Sequence, residues 1–172
     1  MEIKKHVNQS RATMTEMVLP NDTNTLNNLM GGKLMHWMDV VAAISAQRHS
    51  NSIVVTASVD NISFAEPISL GDVVTLKAQV TRAFNTSMEI HIEAWAENVL
   101  NKRKMATNKA FFTFVALDRE GKPTRVPEIE PETDEEKALY HSALRRRQLR
   151  LILAGRMKPD DANELKAIFD MD

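Results

Sequence analysis

The chain has 172 residues, of which 43% are hydrophobic and 26% charged, the composition of one globular domain. Lys plus Arg number 22 and Asp plus Glu 23, a net charge of −1, so the chain lacks the field of a general nucleic-acid or anionic-membrane binder. Cysteine is absent, which removes disulfides, thiolate metal sites and a cysteine nucleophile. There is no apolar run long enough for a membrane span and no h-region of a secretory signal, which points to a cytoplasmic protein.

In chain order, residues 1–8 read as a loose arm. Ser10 to Leu19 suits a strand, with Ala12, Met14 and Val18 on one side and Glu16 against the pattern. Pro20 ends it, and the asparagine-rich stretch from Asn21 to Asn28 is turn composition. Gly31 and Gly32 then precede a helix from Lys33 to His49. Leu34, Met38, Val41 and Ser45 share one face, Met35, Ala42 and Ala46 lie beside it, and Trp37, Val40 and Ile44 add apolar surface elsewhere. A helix apolar over most of its circumference is enclosed.

Beyond it the hydrophobic period changes to two. Residues 53–59, 73–81, 88–97 and 105–117 read as four strands, with His91 on the polar side of the third. No helix separates these strands, so their neighbours are antiparallel. The expected class is α+β, a sheet wrapped around one central helix. Such a sheet covers only part of the helix, and a second copy of the chain covers the rest. The acidic run from Glu128 to Glu136 leads into a helix over 134–153 with Thr133 as its N-cap, and a last short helix falls within 160–169. The divisions are therefore an arm over 1–9, a domain over 10–130 and a helical extension over 131–172.

Chemistry concentrates between Asn24 and Asp39. Asp39 is the one carboxylate inside a largely apolar helix, so it needs either a local hydrogen-bond donor or a task. At the helix entrance, the amides of Gly31 and Gly32 point outward and suit a carbonyl oxygen that gains charge in a transition state; alternatively, the glycines only make the turn. Gly31 and Asp39 stand eight residues apart, about 12 Å along a helix. One small reacting group cannot touch both. A site that uses both takes them from two chains with antiparallel central helices.

The run NDTNTLNNLMGGKLMHWMDVVAAISAQRHSNSIVVTASVDNISFAEPISLGD, continued by TRAFNTSMEIHIEAW and AFFTFVALDREGKP, resembles the cytosolic acyl-CoA thioesterases of the hotdog fold. The likeness spans about residues 10–130 and includes brain acyl-CoA hydrolase and single-domain bacterial relatives. It implies a hotdog fold and hydrolysis of acyl-CoA to fatty acid and CoA. It also implies Asp39 and Asn24 as catalytic residues meeting across a subunit interface. Gly31 or Gly32 then holds the thioester carbonyl, and Asp39 acts as general base on water or attacks directly. The family's turn and the basic run suggest CoA contacts at Thr86 and Ser87 and at Lys102, Arg103 and Lys104; for the basic run a solvated hairpin tip is the slightly better reading. Two departures stand out: Met30 where many relatives have histidine, and Asn27 where many have glycine.

The resemblance further implies a homodimer, assembled as a hexamer of three dimers. The expected partner is acyl-CoA, with no nucleic acid and no membrane. No cofactor is expected, since CoA belongs to substrate and product, and no metal, since no His/Asp/Glu cluster has ligand spacing. Arg145, Arg146, Arg147 and Arg150 read as a solvated helix face or an acid-pairing surface. His36, one turn before Asp39, is a minor catalytic candidate, and His49 sits where it meets the helix dipole. Two rival readings share the groove: a non-catalytic acyl-CoA sensor, and a hotdog dehydratase or hydratase.

Overall fold

The computed structural model describes residues 3–60, 62–64 and 66–169. The strands are β1 (Lys4–His6), β2 (Ala12–Met17), β3 (Ile53–Val59), β4 (Val73–Ala83), β5 (Ser87–Asn98), β6 (Arg103–Leu117) and β7 (Glu128–Glu130). The helices are α1 (Gly31–Ser50), α2 (Asp134–Leu153) and α3 (Asn163–Lys166). Five strands form one antiparallel sheet in the order β2–β4–β5–β6–β3, and α1 packs against every one of them.

The period-two pattern explains the core. Val74, Leu76, Ala78 and Val80 of β4 face inward with Met88, Ile90, Ile92, Ala94 and Ala96 of β5, and all are buried. They close on Leu34, Met38, Val41, Ala42 and Ala46 of α1. The helix ends at Asn51, which takes the left-handed conformation (φ 51°) that asparagine tolerates. At its other end the two glycines are the first helical residues, with Met30 as N-cap, so the helix starts two residues before the expected Lys33.

Several expectations change. Lys4–His6 is no loose arm: it pairs in parallel with β7, and Val7 behind it is buried. Residues 1–2 of the arm and 170–172 of the extension lie outside the described residues. The early strand is shorter than expected because Ser10 belongs to a tight turn, where its hydroxyl donates to Val7 O and accepts from Val80 N. Glu16 fits because β2 is an edge strand, where a charge is tolerated. His91 is buried, because α2 covers the outer face of the sheet that alternation alone would leave in water.

One face stays open. β3 is the other edge of the sheet, and its Ile53, Val55 and Val59 are exposed together with Met35 and Ile44 of α1. α1 is therefore enclosed on its sheet side and uncovered on this side in a single chain. No described helix is long and apolar enough to cross a membrane.

Candidate functional site

The loop before α1 is built by its own polar groups. Asp22 accepts from Leu19 N at 3.0 Å and pairs with Lys33 Nζ at 3.2 Å. That backbone bond, with Lys33 beside it, holds the Asp22 carboxyl below the usual carboxylate range. Two residues on, Asn24 Oδ1 accepts from Leu26 N at 2.9 Å and Asn28 N at 3.2 Å, closing the loop on itself. These two donors fix which side-chain atom is the oxygen, so the Asn24 amide nitrogen faces away from the loop backbone with no acceptor among the described residues. Asn27 has φ 56°. That backbone conformation favours glycine and tolerates asparagine, which accounts for one of the two departures from the family pattern.

The loop is laced to the segment before β4 by Leu29 N to Ile68 O at 2.7 Å and Leu70 N to Asn27 O at 2.9 Å. Between them opens a cleft of about 360 Å³, lined by Asn24, Gly31, Leu34, Phe64, Pro67 and Asn108 among others. No described residue accepts from the N–H of Gly31 or Gly32, as expected of the first turn of a helix. A Cβ on Gly32 would meet nothing within 4 Å, and one on Gly31 would meet only the Phe64 ring at 3.5 Å. Packing within the chain thus does not demand glycine at Gly32, and the amides stand open to a ligand.

Asp39 lies two turns further along α1, outside that cleft and only partly exposed. Its Oδ1 accepts a 2.6 Å hydrogen bond from Thr56 Oγ1 of β3. The local donor anticipated for this carboxylate therefore exists, on a residue the sequence reading did not single out. Thr56 carries no sequence signal beyond being a polar residue on a strand next to the helix. One chain brings Asn24 and Gly31 together and leaves Asp39 with Thr56, on the open face of α1 and β3.

The expected CoA contacts divide as well. Ser87 opens β5 opposite Val115, while Arg103 stands opposite Asn98 at the far end of the same hairpin. Eleven residue steps along β5 separate those ends, about 36 Å. Thr86 lies in the turn at the first end, where its carbonyl accepts from Ala116 N at 2.9 Å. Lys102, at φ 56°, turns the hairpin at the other end beside exposed Arg103 and Lys104. Among the described residues no cluster of metal-ligating side chains forms. His36 is exposed and makes no hydrogen bond or ion pair among the described residues. His49 is buried, its Nε2 2.7 Å from Pro127 O, and burial pushes its pKa down. Arg146 and Arg150 pair with buried Glu89, so that helix face is acid-pairing.

Residues 26–101 match the thioesterase superfamily. An uncharacterised acyl-CoA thioester hydrolase of Bacillus subtilis is 42% identical over 138 residues, 80% of each chain. An apo-hexameric acyl-CoA thioesterase of known structure superposes with a TM-score of 0.85 at 40% identity, covering 90% of this chain and 98% of that one. An acyl-CoA hydrolase from Staphylococcus aureus, solved with butyryl coenzyme A, coenzyme A and coenzyme A disulfide, superposes with a TM-score of 0.81 at 38% identity, covering 89% and 95%. That hydrolase has also been solved with an asparagine, an aspartate and a threonine each replaced by alanine. Those three positions are 15 and 17 residues apart, the spacing of Asn24, Asp39 and Thr56 here.

Proposed function

This chain belongs to the acyl-CoA thioester hydrolases of the thioesterase superfamily, and we propose that it hydrolyses acyl-CoA to a fatty acid and coenzyme A with a site shared between two protomers. The observation that carries the reading is the separation of the chemistry. Gly31 and Asn24 line one cleft, while Asp39, oriented by Thr56, lies two turns away on an uncovered face. Two α1 helices running antiparallel against each other bring one chain's entrance to the other chain's carboxylate.

In this site the thioester carbonyl accepts from the N–H of Gly31 or Gly32, donors already aimed at the position where negative charge develops. Asn24 of the same protomer supplies its amide to orient the reacting groups. Asp39 of the other protomer takes a proton from water as the oxygen attacks the carbonyl carbon. Thr56 fixes one carboxylate oxygen, leaving the other for that water. When the tetrahedral intermediate collapses, the C–S bond breaks and the CoA sulfur leaves with the proton. The exposed apolar residues of α1 and β3 support a homodimer as the working unit, and the hexameric relative supports three such dimers. One coenzyme A contacts both Thr86–Ser87 and Lys102–Lys104 only if the two sets come from different protomers.

The test is thiol release across a panel from acetyl-CoA to palmitoyl-CoA, with Asp39→Ala beside the wild type. Release that falls at least about 100-fold in the variant supports the reading. Near-normal release by Asp39→Ala refutes the residue assignment. Acyl-CoA bound without turnover by the wild type favours a sensor, and double-bond chemistry without CoA release favours a dehydratase or hydratase.

A further inference from the structure

A buried charged cluster lies under α2, away from the cleft. Glu89 of β5 is fully buried and receives two bonds from Arg146, Nε to Oε2 at 3.0 Å and Nη2 to Oε1 at 2.8 Å. Thr81 Oγ1 adds a third to Oε1 at 2.7 Å. Arg146 alone therefore neutralises Glu89 and, with Thr81, bonds both of its oxygens. Arg150, one turn on, donates from Nη1 to Glu89 Oε2 at 3.2 Å and, with the same nitrogen, to Asp60 Oδ2 at 2.9 Å. The four charges balance, and Arg150 spends its own on reaching Asp60.

Asp60 is the residue where the chain leaves the sheet. Its N–H still donates to Phe111 O of β6 at 3.0 Å, just past the end of β3. The described residues that follow, 62–64 and 66–68, lie at the mouth of the cleft. Ile62 packs against the core, Ser63 O accepts from Asn108 Nδ2, and the Phe64 ring stands over Gly31. Pro67 and Ile68 continue the wall, and Ile68 O accepts from Leu29 N. This wall is tied to the Asn24 loop at its far end and to α2 at its near end.

We propose that Arg150 is a positioning residue for the cleft: by holding Asp60 it sets where the wall carrying Phe64 crosses the entrance of α1. This gives the helical extension a part in substrate binding, although α2 lies wholly beyond the matched residues 26–101. The inference rests on the proposed reading of the cleft as the acyl-CoA site.

Three variants test it. Arg150→Met leaves Glu89 and Asp60 facing one guanidinium, which risks the fold, so Asp60→Asn with Arg150→Met is made beside it to keep the charge balanced. With the full-length protein, KM for acyl-CoA is expected to rise about fivefold to tenfold while kcat stays within about twofold. Arg150→Lys, which keeps a donor and the charge, is expected to recover most of the loss. Amide hydrogen exchange at Asp60 and Leu29, whose N–H groups donate to Phe111 O and Ile68 O at the two ends of the wall, is expected to quicken in the double variant with no change in the strands β4 and β5. Unchanged KM together with unchanged exchange at Asp60 and Leu29 overturns the proposal, as does a fall confined to kcat. A wild type that turns over no acyl-CoA refutes the proposed function instead, and the exchange experiment then decides the clamp alone.

Discussion

Replacing Thr56 by valine removes one interaction and little else. Valine keeps the branched shape that suits a strand, so the β3 edge is retained. The variant loses the 2.6 Å hydrogen bond to Asp39 Oδ1, a length typical of a hydroxyl donating to an ionised carboxylate. Hydrogen bonds to charged groups contribute about 1.5–3 kcal/mol. Thr56 is exposed and Asp39 partly exposed in the single chain, which places this one near the lower end, about 1.5–2 kcal/mol. If the bond serves to aim the carboxylate at water, its loss falls on kcat and amounts to about 10-fold to 30-fold, with KM little changed. The assay is steady-state thiol release on one well-used acyl-CoA, with Thr56→Ser run beside Thr56→Val. Serine restores the hydroxyl and is expected to recover most of the rate. A valine variant within twofold of the wild-type kcat refutes the orienting role; a change confined to KM makes Thr56 a binding residue.

Two further outcomes follow from the same geometry. Asn27→Gly is expected to leave urea stability within about 0.5 kcal/mol, because glycine adopts φ 56° without strain, whereas Asn27→Ala lowers it by about 1 kcal/mol; equal stabilities contradict the backbone argument. His49 and His91 are both buried, and desolvation lowers the pKa of each below 6.5. Below pH 6.5 the unfolded chain binds these protons before the folded one does. Stability is therefore full above that pH and falls as the pH drops toward the lowered folded values, by at most about 1.4 kcal/mol per pH unit for each histidine. Denaturation at pH 7.5, 6.5 and 5.5 measures the slope. His49→Gln is expected to remove about half of it, and stability unchanged between pH 7.5 and 5.5 contradicts the assignment.

Most of the inner architecture was legible in the residues. Alternation along β4 and β5 placed Leu76, Ile90 and their neighbours on the core side, and the wide apolar surface of α1 announced an enclosed helix. What failed was the outer face. Glu89 and His91 alternate like solvent-facing residues, and only the packing of α2 shows that they are covered. No local pattern reports that Arg146 and Arg150, some 57 and 61 residues away in the chain, supply the countercharge. The order of the arm is hidden for a similar reason, since three residues of β1 pair with β7 more than a hundred positions away.

The site shows the same division. Asn24, Gly31, Gly32 and Asp39 stood out because each is unusual where it stands: a polar loop residue, glycines opening a helix, a carboxylate within an apolar helix. Thr56 did not, because a threonine in a strand is ordinary, and its task appears only when the strand lies beside Asp39. Helix rise alone separated Gly31 from Asp39, and the fold keeps them apart within one chain, the carboxylate lying outside the cleft that holds Gly31.

The central claim is that each site takes Asn24 from one chain and Asp39 from its partner, and mixing two inactive variants tests it most directly. Asn24→Ala and Asp39→Ala are purified separately, then unfolded and refolded together so that protomers exchange at random. Half of the dimers then combine one of each, and each of those holds one site with both residues intact, so thiol release is expected to return to roughly a quarter of the wild-type rate. Release that stays at the sum of the two separate variants, with mixed dimers demonstrably present, contradicts a shared site.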